Sequence, residues 1–195
     1  MGKKIGSFIL LLSCILLIAT GCGNISKEIS LGSWNEDTYT NEFLGLTYSK
    51  PADWVRYTDE QIKDVMQLGQ DLVDASEISK KLAELTSVTY LMSSSPNGSN
   101  VILMSEKPVV SMSVESYADS LKSQLESQTA LTYTLSDVKK ETIDGKEFTT
   151  IEASVETINQ KYYIYKVDKY IVSLIVTATE GNNVNDIISQ FKFNW

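Results

Sequence analysis

Apolar positions along this chain fall into three regimes. From Ile5 to Ala19 the residues are almost unbroken Ile, Leu, Phe and small side chains; from Gly23 to Asn41 they are polar with no apolar period; from Glu42 onward apolar positions recur at spacings of two or of three to four. The third regime predicts one folded domain over 42–195, and the second predicts a tether over 22–41.

Within the domain, Phe43, Leu46 and Tyr48 predict a strand that Lys50-Pro51 ends, and Trp54-Val55 begins another. Thr58 followed by Gln61 has capping-box spacing, and Ile62, Val65, Met66, Gly69, Leu72 and Val73 share one helical face. Ile78, Leu82 and Leu85 continue that face after a break near Ala75-Ser76. Val88, Tyr90 and Met92 then alternate with smaller or polar residues, Asn97-Gly98 supplies a hairpin turn, and Val101 to Met104 returns.

A second helix is predicted from the cap Ser113, with Val114, Tyr117, Ala118, Leu121 and Leu125 on one side. A meander follows. Tyr133–Glu141 turns at Asp144-Gly145 into Phe148–Val155, and Lys161–Val167 turns at Asp168-Lys169 into Tyr170–Thr177. Val184, Ile187, Ile188 and Phe191 predict a last short helix. Hairpins make neighbouring antiparallel strands, and three apolar-faced helices must cover them. The expected class is therefore α+β, an antiparallel β-sheet sandwiched by helices.

The start of the chain has its own reading. Lys3 and Lys4 precede an apolar run of about 15 residues, short for a bilayer span of roughly 20, and Ala19-Thr20-Gly21 precede Cys22. A basic start, an apolar stretch and small residues make a secretory signal. The stretch "IATGCG" resembles the lipobox of bacterial lipoprotein precursors. That resemblance implies cleavage after residue 21, acylation of Cys22 and a chain held on the cell membrane, facing outside the cytoplasm. As a flexible coil, the tether would hold the domain about 25 Å from the bilayer. Trp34 within it fits a tether residue, an interfacial anchor or the first residue packed on the domain.

Composition then removes much chemistry. The chain has two cysteines, Cys14 in the apolar run and Cys22, and no histidine. The domain therefore has no disulfide, no thiolate or imidazole zinc site and no Cys-His or Ser-His pair. No cofactor is implied, no calcium-loop pattern occurs, and the 10 glycines form no phosphate cradle. The formal charge of −8 becomes more negative by two once Lys3 and Lys4 leave with the signal. Nucleic acid is excluded as a partner on that charge, and attachment to the membrane falls to the lipid anchor.

The remaining candidates each have a plain explanation. Ser136 to Lys139 has Ser-x-x-Lys spacing but sits in a predicted strand. Asp59 with Glu60 could serve acid/base chemistry, and first-turn acids also suit a helix dipole. Tyr163 and Tyr165 alternate away from Tyr162 and Ile164, so both faces of that strand are covered; with Tyr170 and Trp54 they are the candidate binding surface. Trp54, at a strand-to-helix junction, is expected to plug sheet against helix, its rival role being an exposed partner contact.

The opening "NEFLGLTYSKPADWV", the helix "SVESYADSLKSQL", the Tyr-rich hairpin and "IISQFKF" together resemble the PsbP/Mog1-like fold found in many bacterial lipoproteins, over about Glu42 to Phe193. The resemblance implies an α/β/α sandwich working as a binding or accessory module. Members of the fold bind protein partners, and no partner-specific residue transfers. The expected function is a lipid-anchored module holding an envelope protein or a small ligand; the alternative is an extracytoplasmic hydrolase that uses carboxylates only.

Overall fold

The computed structural model describes residues 30–72, 87–108, 110–128 and 132–194, with the helix backbone alone over 67–72. The expected signal over 1–21, Cys22, and the expected helical continuation through Val73, Ile78, Leu82 and Leu85 lie outside the described residues.

Twelve strands form two antiparallel sheets among the described residues. The small sheet has the order β1 (Ser33–Asn35), β2 (Thr38–Asn41), β3 (Leu46–Ser49), β12 (Phe191–Phe193). The large sheet runs β4 (Val55–Arg56), β5 (Ser87–Ser94), β6 (Asn100–Glu106), β11 (Tyr170–Ala178), β10 (Ile158–Val167), β9 (Lys146–Val155), β7 (Thr134–Leu135), with β8 (Lys139–Ile143) also on β9. Helices α1 (Asp59–Leu72), α2 (Val114–Glu126) and α3 (Val184–Ile188) complete it.

Period two decides which layer each strand residue joins. Tyr162, Ile164, Ile102, Met104, Ile171 and Ile175 face α1 and α2, where Ile62, Tyr117, Ala118, Leu121 and Leu125 meet them. Tyr163, Tyr165, Leu103, Val172, Leu174 and Val176 face the small sheet, packing on Tyr39, Leu46, Tyr48, Phe191 and Phe193, with Ile187 and Ile188 of α3 beside them. The order of layers is helix, large sheet, small sheet. The expectation of helices on both faces thus holds on one face only, because the second face of the large sheet is covered chiefly by another sheet.

Two local differences produce that layer. Ser33 to Asn41 lacks a long apolar pattern and is expected as tether, yet these residues form β1, β2 and the turn between them. Each is too short to show a period, and Tyr39 and Asn41 are the buried positions of β2. Phe191 belongs to a strand instead of the last helix, since α3 ends at Ile188 and Phe191 pairs with Tyr48 across β3. Phe43 lies in the turn before β3, and Trp54 just precedes β4.

The predicted caps form. Thr58 N–H donates to Gln61 Oε1 at 2.9 Å and Gln61 N–H to Thr58 Oγ1 at 3.3 Å. Ser113 Oγ accepts from Ser116 N–H at 3.0 Å. Hairpins turn at Asn97-Gly98, Asp144-Gly145 and Asp168-Lys169 as their residues predict. Among the described residues no helix is long and apolar enough to cross a membrane.

Candidate functional site

Where β1 crosses the end of β4, β5 and α1, the layers leave a groove of about 400 Å³. Trp34 and Tyr39 form one wall, Arg56, Tyr57 and Asp59 the other, and Tyr90 lies at its base. A β-bulge between Thr89 and Leu91 builds this floor. It places Tyr90 and Leu91 both toward the small sheet and turns Met92 to the helices, which interrupts the alternation expected for Val88, Tyr90 and Met92.

The polar heads of two tyrosines are tied inward. Tyr90 Oη shares a hydrogen bond with Ser105 Oγ at 2.9 Å, and Tyr39 Oη donates to Leu31 O at 2.8 Å. Burial pushes both phenols up to about 12, against the pull of Asn41 on Tyr39 and of Ser105 on Tyr90. They are neutral walls at any ordinary pH. Asn41 Nδ2 donates to Ser30 O at 2.9 Å and to Tyr39 Oη at 3.0 Å, so the chain entering at Ser30 is pinned beside the groove.

The Arg56 guanidinium stands 4.8 Å from the centre of the Trp34 ring. Among the described residues neither Arg56 nor Asp59 enters an ion pair. One exposed cation, one exposed anion and four aromatic rings therefore converge on one concavity. An exposed large apolar side chain lies there too, Leu31 on the rim at 63 %.

A second cleft, of about 470 Å³, lies at the other end of the large sheet, lined by Ser136, Glu152, Lys161, Asn182 and neighbours. Two of its polar side chains are held by neighbours. Lys161 Nζ meets Glu141 at 2.8 Å and Glu152 at 2.9 Å, while Asn182 Nδ2 donates to Asn97 Oδ1 and Ser99 Oγ. Burial pulls the Lys161 ammonium down, and the two carboxylates outweigh it, so its pKa lies above the ordinary value. Ser136 Oγ donates to Asp137 O and accepts from Glu152 N–H, a local loop contact that leaves Lys139 to β8.

No family model matches the chain, and no curated protein does. The fold is similar to the solution structure of cyanobacterial PsbP (CyanoP) from Synechocystis sp. PCC 6803, at 12 % identity and a TM-score of 0.48, covering 89 % of this chain and 98 % of that one. No property of that protein transfers on a likeness of this size.

The tyrosines expected to form a surface are interior. Tyr163, Tyr165 and Tyr170 are 1, 2 and 5 % exposed. Tyr163 and Tyr165 edge onto Phe148 at 6.0 and 5.3 Å, and Tyr170 onto Phe43 at 6.0 Å. The small sheet lies over Tyr163 and Tyr165. Trp54 is half-buried on the rim of the sheet-to-sheet core, and its carbonyl accepts from Lys50 Nζ at 2.9 Å. It does not line the groove. The ring that does is Trp34, whose third reading, the first residue packed on the domain, is the one its contacts match. Asp59 and Glu60 both stand exposed in the first turn of α1, and Asp59 alone lines the groove. The carboxyl that burial raises most clearly, Glu106, lies under α2 and lines neither concavity.

Proposed function

We propose that this chain is the precursor of a lipid-anchored extracytoplasmic binding module, acylated at Cys22, and that the Trp34–Arg56–Asp59 groove is where it holds its partner or ligand. The observation that carries the reading is the convergence of an exposed cation, an exposed anion, neither ion-paired among the described residues, and four rings on the end of the domain from which the chain runs back toward Cys22. Apolar walls with a few convergent polar groups are the common form of a binding site. The lipobox resemblance supports the anchor, and the charge of the chain leaves acyl chains as the means of attachment.

Two measurements test the two halves separately. Mass spectrometry of the membrane fraction should find the mature chain beginning at an acylated Cys22, and Cys22→Ala should accumulate as unprocessed precursor. A mutant carrying the wild type's mature lipid mass overturns the anchor. A photo-crosslinking side chain at position 31 in the native envelope should give a discrete adduct that Arg56→Glu reduces. The same probe at Asp119, on the helix packed over β9 and β10, should not give it. Equal adducts at both positions overturn the groove.

A further inference from the structure

The end of the domain that carries the groove is also the end nearest the proposed anchor. Ser30 is pinned by Asn41, and only seven residues separate it from Cys22; eight steps of at most ~3.4 Å put Ser30 within about 27 Å of the acylated residue, with Leu31 of the groove rim one step further. A tether running to residue 41 would have left the domain free to turn any face to the bilayer. With β1 and β2 folded in, the short lead restricts which faces can reach it.

The side chains on that end match one kind of surface. Trp34 and Tyr57 are amphipathic rings of the type that settles at headgroup depth. Leu31, on the groove rim, is apolar and solvent-exposed beside them. Arg56 presents a planar fork of donors suited to a phosphate, while Asp59 and the aromatic faces suit an ammonium. An acidic chain is repelled by an anionic bilayer surface, so a phosphate whose charge is balanced by its own ammonium is favoured over an anionic headgroup.

We infer that the groove between Trp34, Arg56, Tyr57 and Asp59 seats the zwitterionic headgroup of a phospholipid, phosphate toward Arg56 and ammonium toward Asp59 and the rings, and so docks this end of the domain on the membrane that holds it. This rests on the binding reading of the same groove and on the anchor at Cys22.

The test uses the mature acylated protein carrying Trp54→Phe and Trp195→Phe, so that Trp34 is the fluorophore, reconstituted into vesicles. Flotation with the vesicles reports the anchor alone. Quenching of Trp34 by phospholipid brominated high on the acyl chain reports the docked groove. Quenching should be strong in phosphatidylcholine or phosphatidylethanolamine vesicles and weak in phosphatidylglycerol vesicles. Glycerophosphocholine should relieve it and inorganic phosphate at equal concentration should not. Arg56→Ala, which alters an exposed side chain, should need about fivefold more zwitterionic lipid for half-maximal quenching, the scale of one exposed charge contact. Protein that floats without quenching in any composition overturns the docking while leaving the anchor intact. Equal relief by phosphate reassigns the groove to a free anion, and stronger quenching in phosphatidylglycerol overturns the zwitterion.

Discussion

Tyr117 donates its hydroxyl to Oε2 of Glu106 at 2.9 Å, inside the layer between α2 and the large sheet. Glu106 is 7 % exposed, and burial raises its carboxyl from an ordinary 4.5 to about 7, against the opposing pull of the Tyr117 bond. The folded protein therefore keeps a proton that the unfolded chain releases above about 4.5. That contribution to stability is full at lower pH and is lost as pH rises toward 7, by about 3 kcal/mol. Glu115 and Glu152 shift the other way, so their titration lies below this window. Denaturant midpoints at pH 5 and pH 8 should fall for the wild type and stay level for Glu106→Gln, whose neutral amide still accepts from Tyr117. A wild type that is flat between those pH values removes the assignment.

The aromatic rings of the sheet-to-sheet core are unequal in what they hold. Phe148 is fully buried and meets Phe193, Tyr165 and Tyr163 at 4.8, 5.3 and 6.0 Å. Phe148→Ala should cost about 3 to 5 kcal/mol, the loss of a packed ring and the cavity left behind. Trp54, expected from its place in the chain to be a plug, is half-buried at the rim, and Trp54→Ala should cost about 1 to 2 kcal/mol. Urea unfolding of the two variants should rank them in that order; equal losses would return Trp54 to the core.

The long elements could be read from the chain because each carries its own period. Tyr162 and Tyr163 fall to opposite layers as alternation requires, and Thr58, Ser113 and Asn97-Gly98 cap and turn where their side chains dictate. What covers a strand face is a different kind of fact. Nothing in Tyr163 or Tyr165 says whether the layer above is helix, water or a second sheet. That sheet is made of strands of three or four residues from both ends of the chain; Leu46 and Tyr48 announce β3, but β1, β2 and β12 are too short to show a period. The groove was hidden for the same reason. Its walls come from β1, β4 and the start of α1, and its floor from a bulge that the alternation of Val88, Tyr90 and Met92 does not announce.

One hairpin carries a correctable strain. Glu156 sits in the two-residue connection between Val155 and Ile158 with φ at 52°, a left-handed conformation that suits Asn far better than Glu. The residue is exposed, so its side chain can be changed without disturbing a core. Glu156→Asn should stabilise the domain by about 0.5 to 1 kcal/mol, read as a higher denaturant midpoint at unchanged slope. A neutral or lower midpoint would mean that Glu156 makes a contact outweighing its backbone cost.

Gly32 ties the fold to the groove. Its φ is +71°, and a Cβ built on it would lie 2.5 Å from Tyr39 Oη and 2.7 Å from Thr40 O, closer than any side chain can stand. Tyr39 cannot yield cheaply, since it is 1 % exposed and its hydroxyl holds Leu31 O while accepting from Asn41. Gly32→Ala should therefore push the entering chain off β2, break the bonds at Ser30 and Leu31, and shift Trp34 away from Arg56. The backbone term alone is about 1 to 2 kcal/mol, and the displaced Tyr39 adds to it. Because Phe148 and the helix layer lie elsewhere, the large sheet should keep its circular dichroism while the fluorescence of Trp34, followed with Trp54→Phe and Trp195→Phe in place, moves toward that of a ring in water. A variant with unchanged stability and unchanged Trp34 emission would show that the amino-terminal strand is held by something other than this contact.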